Sequence, residues 1–199
     1  MEGKRKMENS KRLSKVRALV YNECQASEML RWFWDSHLAI VEQYTQELAA
    51  EQGTDVEVVL LGVYLHDIAR IRGKGEEEHD LVGVPIAEEI MKQFGYDDQI
   101  IQRVKGVILT HRCKERKPES LEEKILATAD AMSHFRGDFY LPLIWHHYPN
   151  DKLGEMIRFV LDKMERDFHD KIFFEGARAK IKPDYEALKR VFSTFSGAT

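Results

Sequence analysis

The chain has 199 residues, 43% of them hydrophobic and 32% charged, with a formal net charge of −4. That balance excludes a disordered chain, and the mild acidity excludes a surface that is basic throughout and built for nucleic acid. Two cysteines, Cys24 and Cys113, outside any Cys-x-x-Cys pattern, exclude a disulfide scaffold, and no apolar run reaches the ~18 residues of a membrane span.

The expected location is therefore the cytoplasm, with neither membrane nor nucleic acid as a partner. Helical spacing runs through the chain and strand-like alternation does not, so the expected fold is all-α, a bundle of about seven to nine helices. The basic segment MEGKRKMENSKRLSKVR is a solvated arm or the start of a helix. Asp35-Ser36 is expected to open a helix to about Ala50, with His37, Val41, Tyr44 and Leu48 on one face. Thr54, with Glu57 three residues on, is expected to cap a helix over 55–70. A helix from about Asp80 to Phe94 follows, with Pro85 as a kink and Gly95 as its stop. Asp97 or Asp98 caps the next, which runs to about Arg112 with Ile101, Val104, Ile108 and His111 in register. Ser120 and Glu123 make a capping box that opens a helix to about Phe135. Beyond the aromatic, proline-broken stretch FYLPLIWHHYPN, helices are expected over about 151–170 and 184–195, the second with Pro183 at its start.

One of these elements carries a contradiction. Helix 55–70 is apolar on nearly every side, as in a helix surrounded by others, yet His66 and Asp67 sit near its end. A buried carboxylate is costly unless it is paired or bound to a metal, and a divalent cation would use both groups. His-Asp occurs three times, but His79-Asp80 stands at a helix start after acidic residues, and His169-Asp170 lies in a charge-rich amphipathic helix and reads as a surface pair. Further ligands must come from other helices. His37 and His111 lie on apolar faces, and Asp130 sits among Ala127, Ala129 and Ala131, small residues that permit close helix approach. Each also has a plain structural reading: a hydrogen-bonded core histidine, or a carboxylate paired with an arginine. Arg70, one turn past His66, is a candidate to face the same place, and His134, four residues after Asp130, is a candidate to support it.

The order His37, His66-Asp67, Asp130 resembles the H…HD…D pattern of the HD-domain superfamily of metal-dependent phosphohydrolases. The segments that carry the likeness are FWDSHLAIVEQYTQELA, VVLLGVYLHDIAR and LATADAMSHF. The resemblance implies one domain over residues 1–199, with a metal-binding core at about 30–135 and C-terminal helices at about 138–195. It implies His37, His66, Asp67 and Asp130 as ligands of one divalent ion. EEEHDLVGVPIAEEIMKQFG and IIQRVKGVILTHR are similar to the subset with two more histidines, which implies that His79 and His111 hold a second ion or serve catalysis beside Asp67. Mn, Fe, Co, Ni, Zn and Mg all suit such a set, one or two per chain. The implied activity is hydrolysis of a nucleotide or other small phosphoester by a metal-activated water, with Arg70 on the substrate phosphate. Members with this ligand set also include di-iron oxygenases, and some HD folds serve as non-catalytic nucleotide-binding modules, so both alternatives stay open. Oligomeric state is not legible in the sequence.

Overall fold

The computed structural model describes residues 2–54, 56–75, 77–136, 138–147 and 153–196, and among them every regular element is helical. The all-α expectation therefore holds. In chain order the elements are α1 (Glu2–Cys24), α2 (Glu28–Phe33), a π-helical turn (Trp34–Leu38), α3 (Ala39–Gln52), α4 (Val56–Leu65) and α5 (Ile68–Ile71). There follow α6 (His79–Gln93), α7 (Asp98–Thr110), α8 (Leu121–Ser133), α9 (Tyr140–His147), α10 (Leu153–Arg166), a second π-helical turn (Asp167–Lys171) and α11 (Glu175–Ser196). No helix among the described residues is long and apolar enough to cross a membrane.

The centre of the molecule is α4. Every residue from Val58 to Leu65 is buried, and the helix touches α1, α3, α7 and α8. Gly62 makes this possible: a Cβ there would lie 2.6 Å from Val107 Cγ1 on α7 and 3.3 Å from Leu126 Cδ2 on α8. On α8, Ala127, Ala129 and Ala131 are fully buried, and α3 packs along that helix. The small side chains let four helices approach one another closely, which is what gathers the polar groups described below.

Several boundaries match the expected caps. Asp97 accepts from the Ile100 amide at 2.9 Å, the Ser120–Glu123 capping box is formed, and Gly95 ends α6 at φ 75°. The expected Thr54 cap adjoins Asp55, which lies outside the described residues. Others differ from expectation. The helix carrying His37 begins earlier than Asp35-Ser36: Ser27 caps α2, and the chain continues through the π turn into α3. Of the two readings of the basic N-terminal segment, the start of a helix is the one that holds: it opens α1, whose Val16, Val20 and Cys24 form a buried stripe against α4. The last helix starts at Glu175, so Pro183 lies inside it. Ala177, Ile181 and Tyr185, buried at four-residue spacing, continue across the proline, and their burial outweighs the lost hydrogen bond.

Candidate metal centre

The expected helix 55–70 is broken at the dipeptide itself. His66 N still bonds Gly62 O at 2.8 Å, as the last turn of α4 requires, while Asp67 adopts φ −108°, ψ 17° and starts the short helix α5. A non-helical Asp67 has no side-chain bond to the α5 backbone, so its carboxylate turns inward. His37 sits in the first π turn, where the hydrogen-bonded span is one residue longer and re-aims a side chain relative to a regular helix.

Four elements thus bring their polar groups to one buried point. His37 Nε2 lies 3.4 Å from His66 Nε2, 3.5 Å from Asp130 Oδ1 and 3.6 Å from Asp67 Oδ2. His66 Nε2 lies 3.3 Å from Asp67 Oδ2 and 3.8 Å from Asp130 Oδ1. On the far side of Asp67, His79 Nε2 stands 3.2 Å from Oδ1 and 3.2 Å from His111 Nε2. Ligands about 2.1 Å from a common ion stand roughly 3.0–3.4 Å apart, so the spacing is close to that of a coordination shell. Two groups, His37–His66–Asp130 and His66–Asp67–His111, have donor atoms within 4.8 Å of one another.

The hydrogen bonds around the rings decide which nitrogen faces inward. His66 Nδ1 donates to Val63 O (2.9 Å), and His111 Nδ1 donates to Ile108 O (2.6 Å), because a carbonyl can only accept. Ser133 Oγ gives its one proton to Asp130 O (2.7 Å), so it accepts from His37 Nδ1 (2.9 Å). In each neutral ring Nε2 is then a bare lone pair aimed at the cluster, the second-partner arrangement usual for metal-binding histidines. Asp67 Oδ1 is buried with no hydrogen-bond donor. Lone pairs crowded at these distances, beside two carboxylates, fit a divalent cation as their common partner.

Electrostatics supports the same point. Burial, with smaller contributions from His134 and His66, drives His37 down from 6.5 to about 4, although Asp67 and Asp130 oppose it. Burial, reinforced by His66, takes His111 well below its ordinary value. Burial acts to raise Asp67, yet Arg70, His66 and His37 outweigh it and hold the carboxyl well below the usual range. Asp130 behaves alike, with Lys171, His134 and His37 overcoming burial. Arg70 is at the rim: its guanidinium is 3.7 Å from Asp67 Oδ1 and its side chain is 37% exposed.

His134, the expected supporting residue, has Nε2 3.5 Å from Asp130 Oδ1, but the sequence reading missed the rest of the second buried network to which it belongs. Lys171 Nζ lies 2.5 Å from Asp130 Oδ2; Asp167 Oδ2 meets Lys163 Nζ at 2.5 Å and His134 Nδ1 at 2.8 Å. His134 also stacks on His37, with ring centroids 5.4 Å apart. The partner of Asp130 is thus a lysine from the second π turn, not an arginine. The available signal was the four-residue spacing of Lys163, Asp167 and Lys171 beside the apolar stripe Val160, Met164, Phe168. His169, by contrast, is exposed, as the surface reading of His169-Asp170 expects. The side chains of His146 and His147 lie outside the described residues.

The chain is 36% identical over 110 residues to an uncharacterized protein of Methanocaldococcus jannaschii, covering 47% of this chain and 62% of that one. It is 34% identical over 102 residues to ribonuclease Y of Fervidobacterium nodosum (51% of this chain, 18% of the relative). It is 30% identical over 119 residues to a tRNA (cytidine(56)-2'-O)-methyltransferase of Thermoplasma volcanium (54% and 33%). The matches thus span less than two-thirds of each of these relatives. A solved structure from an uncultured Thermotogales bacterium, described as a predicted HD superfamily hydrolase, superposes with a TM-score of 0.61 at 19% identity, over 92% of this chain and 90% of that one, and shares the fold. The HD domain family profile matches residues 34–134, just over half of the chain and the span that holds every residue of the histidine–aspartate cluster. The chain belongs to the HD-domain family.

Proposed function

We propose that the protein is a metal-dependent phosphohydrolase acting on a nucleotide or another small phosphoester. The observation that carries this reading is the convergence of bare imidazole Nε2 atoms and two carboxylates at one buried point with a partly exposed arginine at its rim. In this reading His37, His66, Asp67 and Asp130 hold the first divalent ion, and His79 and His111, with Asp67, hold a second or serve the leaving group. When bound, such an ion supplies Lewis acidity: it lowers the pKa of a water and draws charge from a phosphoryl oxygen. Arg70 binds the phosphoryl group from the rim, a charge-assisted contact that its partial exposure permits. Where Asp67 holds an ion through one oxygen only, its other oxygen, which lacks a donor, accepts the proton of the attacking water. His111, kept neutral by burial, steadies His79 beside Asp67. Residues 30–135 carry the chemistry, and the C-terminal helices close the site from behind.

The proximity of His79 and His111 to Asp67 gives the six-residue set that a di-iron oxygenase needs, so one experiment should read both activities. Metal-free protein is assayed against a phosphoester panel, including mononucleotides and dinucleotides, with and without Mn(II), and in parallel for oxygen uptake with Fe(II). Phosphate release that depends on Mn(II) and vanishes in a His66→Ala, Asp67→Ala variant is the expected result. Oxygen consumption without phosphate release would replace this reading with the oxygenase. Nucleotide binding without turnover would replace it with a binding module.

A further inference from the structure

The family match ends at residue 134, but a charged side chain from beyond it reaches the cluster. Lys171 Nζ is 2.5 Å from Asp130 Oδ2, and both side chains are about 95% buried. The other carboxylate oxygen, Oδ1, is the one that faces His37 and His66. The ammonium and the histidines therefore divide Asp130 between them, one oxygen each.

The lysine is seated to do this. Thr128, two residues before Asp130, donates to Lys171 O (3.3 Å) and accepts from Phe173 N (3.1 Å), fixing the π turn to α8. Asp167 Oδ1 is 3.9 Å from Lys171 Nζ and is itself balanced by Lys163. An ammonium in such a place is tolerated because two carboxylates share it, and a π turn instead of a fifth turn of α10 sets its direction. Both π turns among the described residues thus deliver a side chain to one carboxylate, His37 from one face and Lys171 from the other.

We propose that Lys171 is a positioning residue of the metal centre: by holding Oδ2 of Asp130 it leaves the carboxylate a single oxygen for the ion and so keeps a coordination position open for water or substrate. The inference rests on the metal-centre part of the functional reading. A carboxylate with both oxygens free can chelate one ion and occupy two positions. With Oδ2 engaged in a charge-assisted bond, that second contact would have to displace an ammonium which also repels the ion.

The test uses cobalt(II) as a spectroscopic probe in the full chain, because d–d band intensity falls as coordination number rises. Wild-type protein and Lys171→Met are titrated with cobalt chloride, and bound cobalt is quantified by elemental analysis. Lys171→Met should still bind cobalt, with its visible band weakened several-fold as Asp130 takes up both contacts. A folded Lys171→Met with the wild-type band overturns the proposal. Should that variant fail to fold, the crystal structure of the Mn(II)-loaded wild type decides. One Asp130 oxygen on the ion and the other on Lys171 supports the proposal, and both oxygens on the ion refutes it. Wild type that binds cobalt but hydrolyses no phosphoester defeats the hydrolase reading and leaves this one standing. Wild type that binds no cobalt ends both.

Discussion

His37 Nε2 and His66 Nε2 stand 3.4 Å apart, although 29 positions separate the residues in the chain, and each ring has its Nδ1 proton committed elsewhere. When both rings are neutral, two lone pairs held face to face repel, and the rigid helices prevent them from moving apart. A divalent ion turns that repulsion into binding. Loading metal-free protein with Mn(II) at about a hundredfold excess over Kd should stabilise the fold by about 2.7 kcal/mol. For a chain of this size that is a rise in Tm of roughly 5–10 °C, read by differential scanning calorimetry. An unchanged Tm under saturating metal would argue that the cluster does not hold an ion.

Gly62 controls the spacing of α4 against α7 and α8, and therefore the distance between His66 and both His111 and Asp130. In Gly62→Ala the new methyl meets the short, β-branched Val107 at 2.6 Å, which cannot swing away as a long side chain would. The variant should lose about 1–3 kcal/mol in urea denaturation, as overpacked cores do. It should also bind Mn(II) more weakly, since the helices that carry the ligands are pushed apart. Full stability with wild-type metal affinity would show that the close approach is not required.

The metal-free protein should lose stability on the acid side of neutrality. His37 falls from 6.5 to about 4 in the folded state, mainly through burial, and His111 falls well below 6.5. Depressed groups bind protons more readily when unfolded, so their stabilisation is present above 6.5 and is lost as pH falls toward the folded values. His66 has the opposite sign. Burial opposes its protonation but Asp67 and Asp130 raise its pKa, so its contribution is complete below 6.5 and fades as pH rises through the raised value. Between pH 6.5 and 5 the depressed pair dominates, and His37 alone accounts for about 2 kcal/mol. Urea denaturation of chelator-treated protein at the two pH values measures this, and equal stability at both would refute it.

Asp167 is fully buried between Lys163, Lys171 and His134. Asp167→Asn removes the charge that balances Lys163 and that shares Lys171 with Asp130, and should cost about 3–5 kcal/mol. The midpoint of urea unfolding reads it directly, and a loss under about 1 kcal/mol would mean the network carries little of the stability.

Much of this arrangement was legible in the sequence, and the reasons are local. An all-apolar helix ending in His-Asp states its own contradiction, and alanines around Asp130 announce close packing. Capping residues such as Asp97 and Ser120 mark helix starts because their side chains have one good use there. The break at Asp67 and the two π turns were not legible, since each is a departure of one residue from regular spacing that only packing selects. Lys171 and Asp167 were not legible either, because their burial depends on the second π turn lying against α8, a relation between distant segments. Pro183 looked like a start signal because its preference for the first turn is statistical, and the buried stripe around it overrides that preference.

The central claim is that the buried histidines and aspartates form an ion-binding centre, and metal content tests it most directly. Wild-type protein, His66→Ala and Asp67→Asn are each equilibrated with a mixture of Mn, Fe, Co, Ni and Zn, freed of unbound ions, and measured by elemental analysis. Wild type should retain at least one divalent ion per chain, and each variant should retain far less while keeping its helical circular dichroism spectrum. Wild type without stoichiometric metal, or variants that retain as much as wild type, would contradict the account.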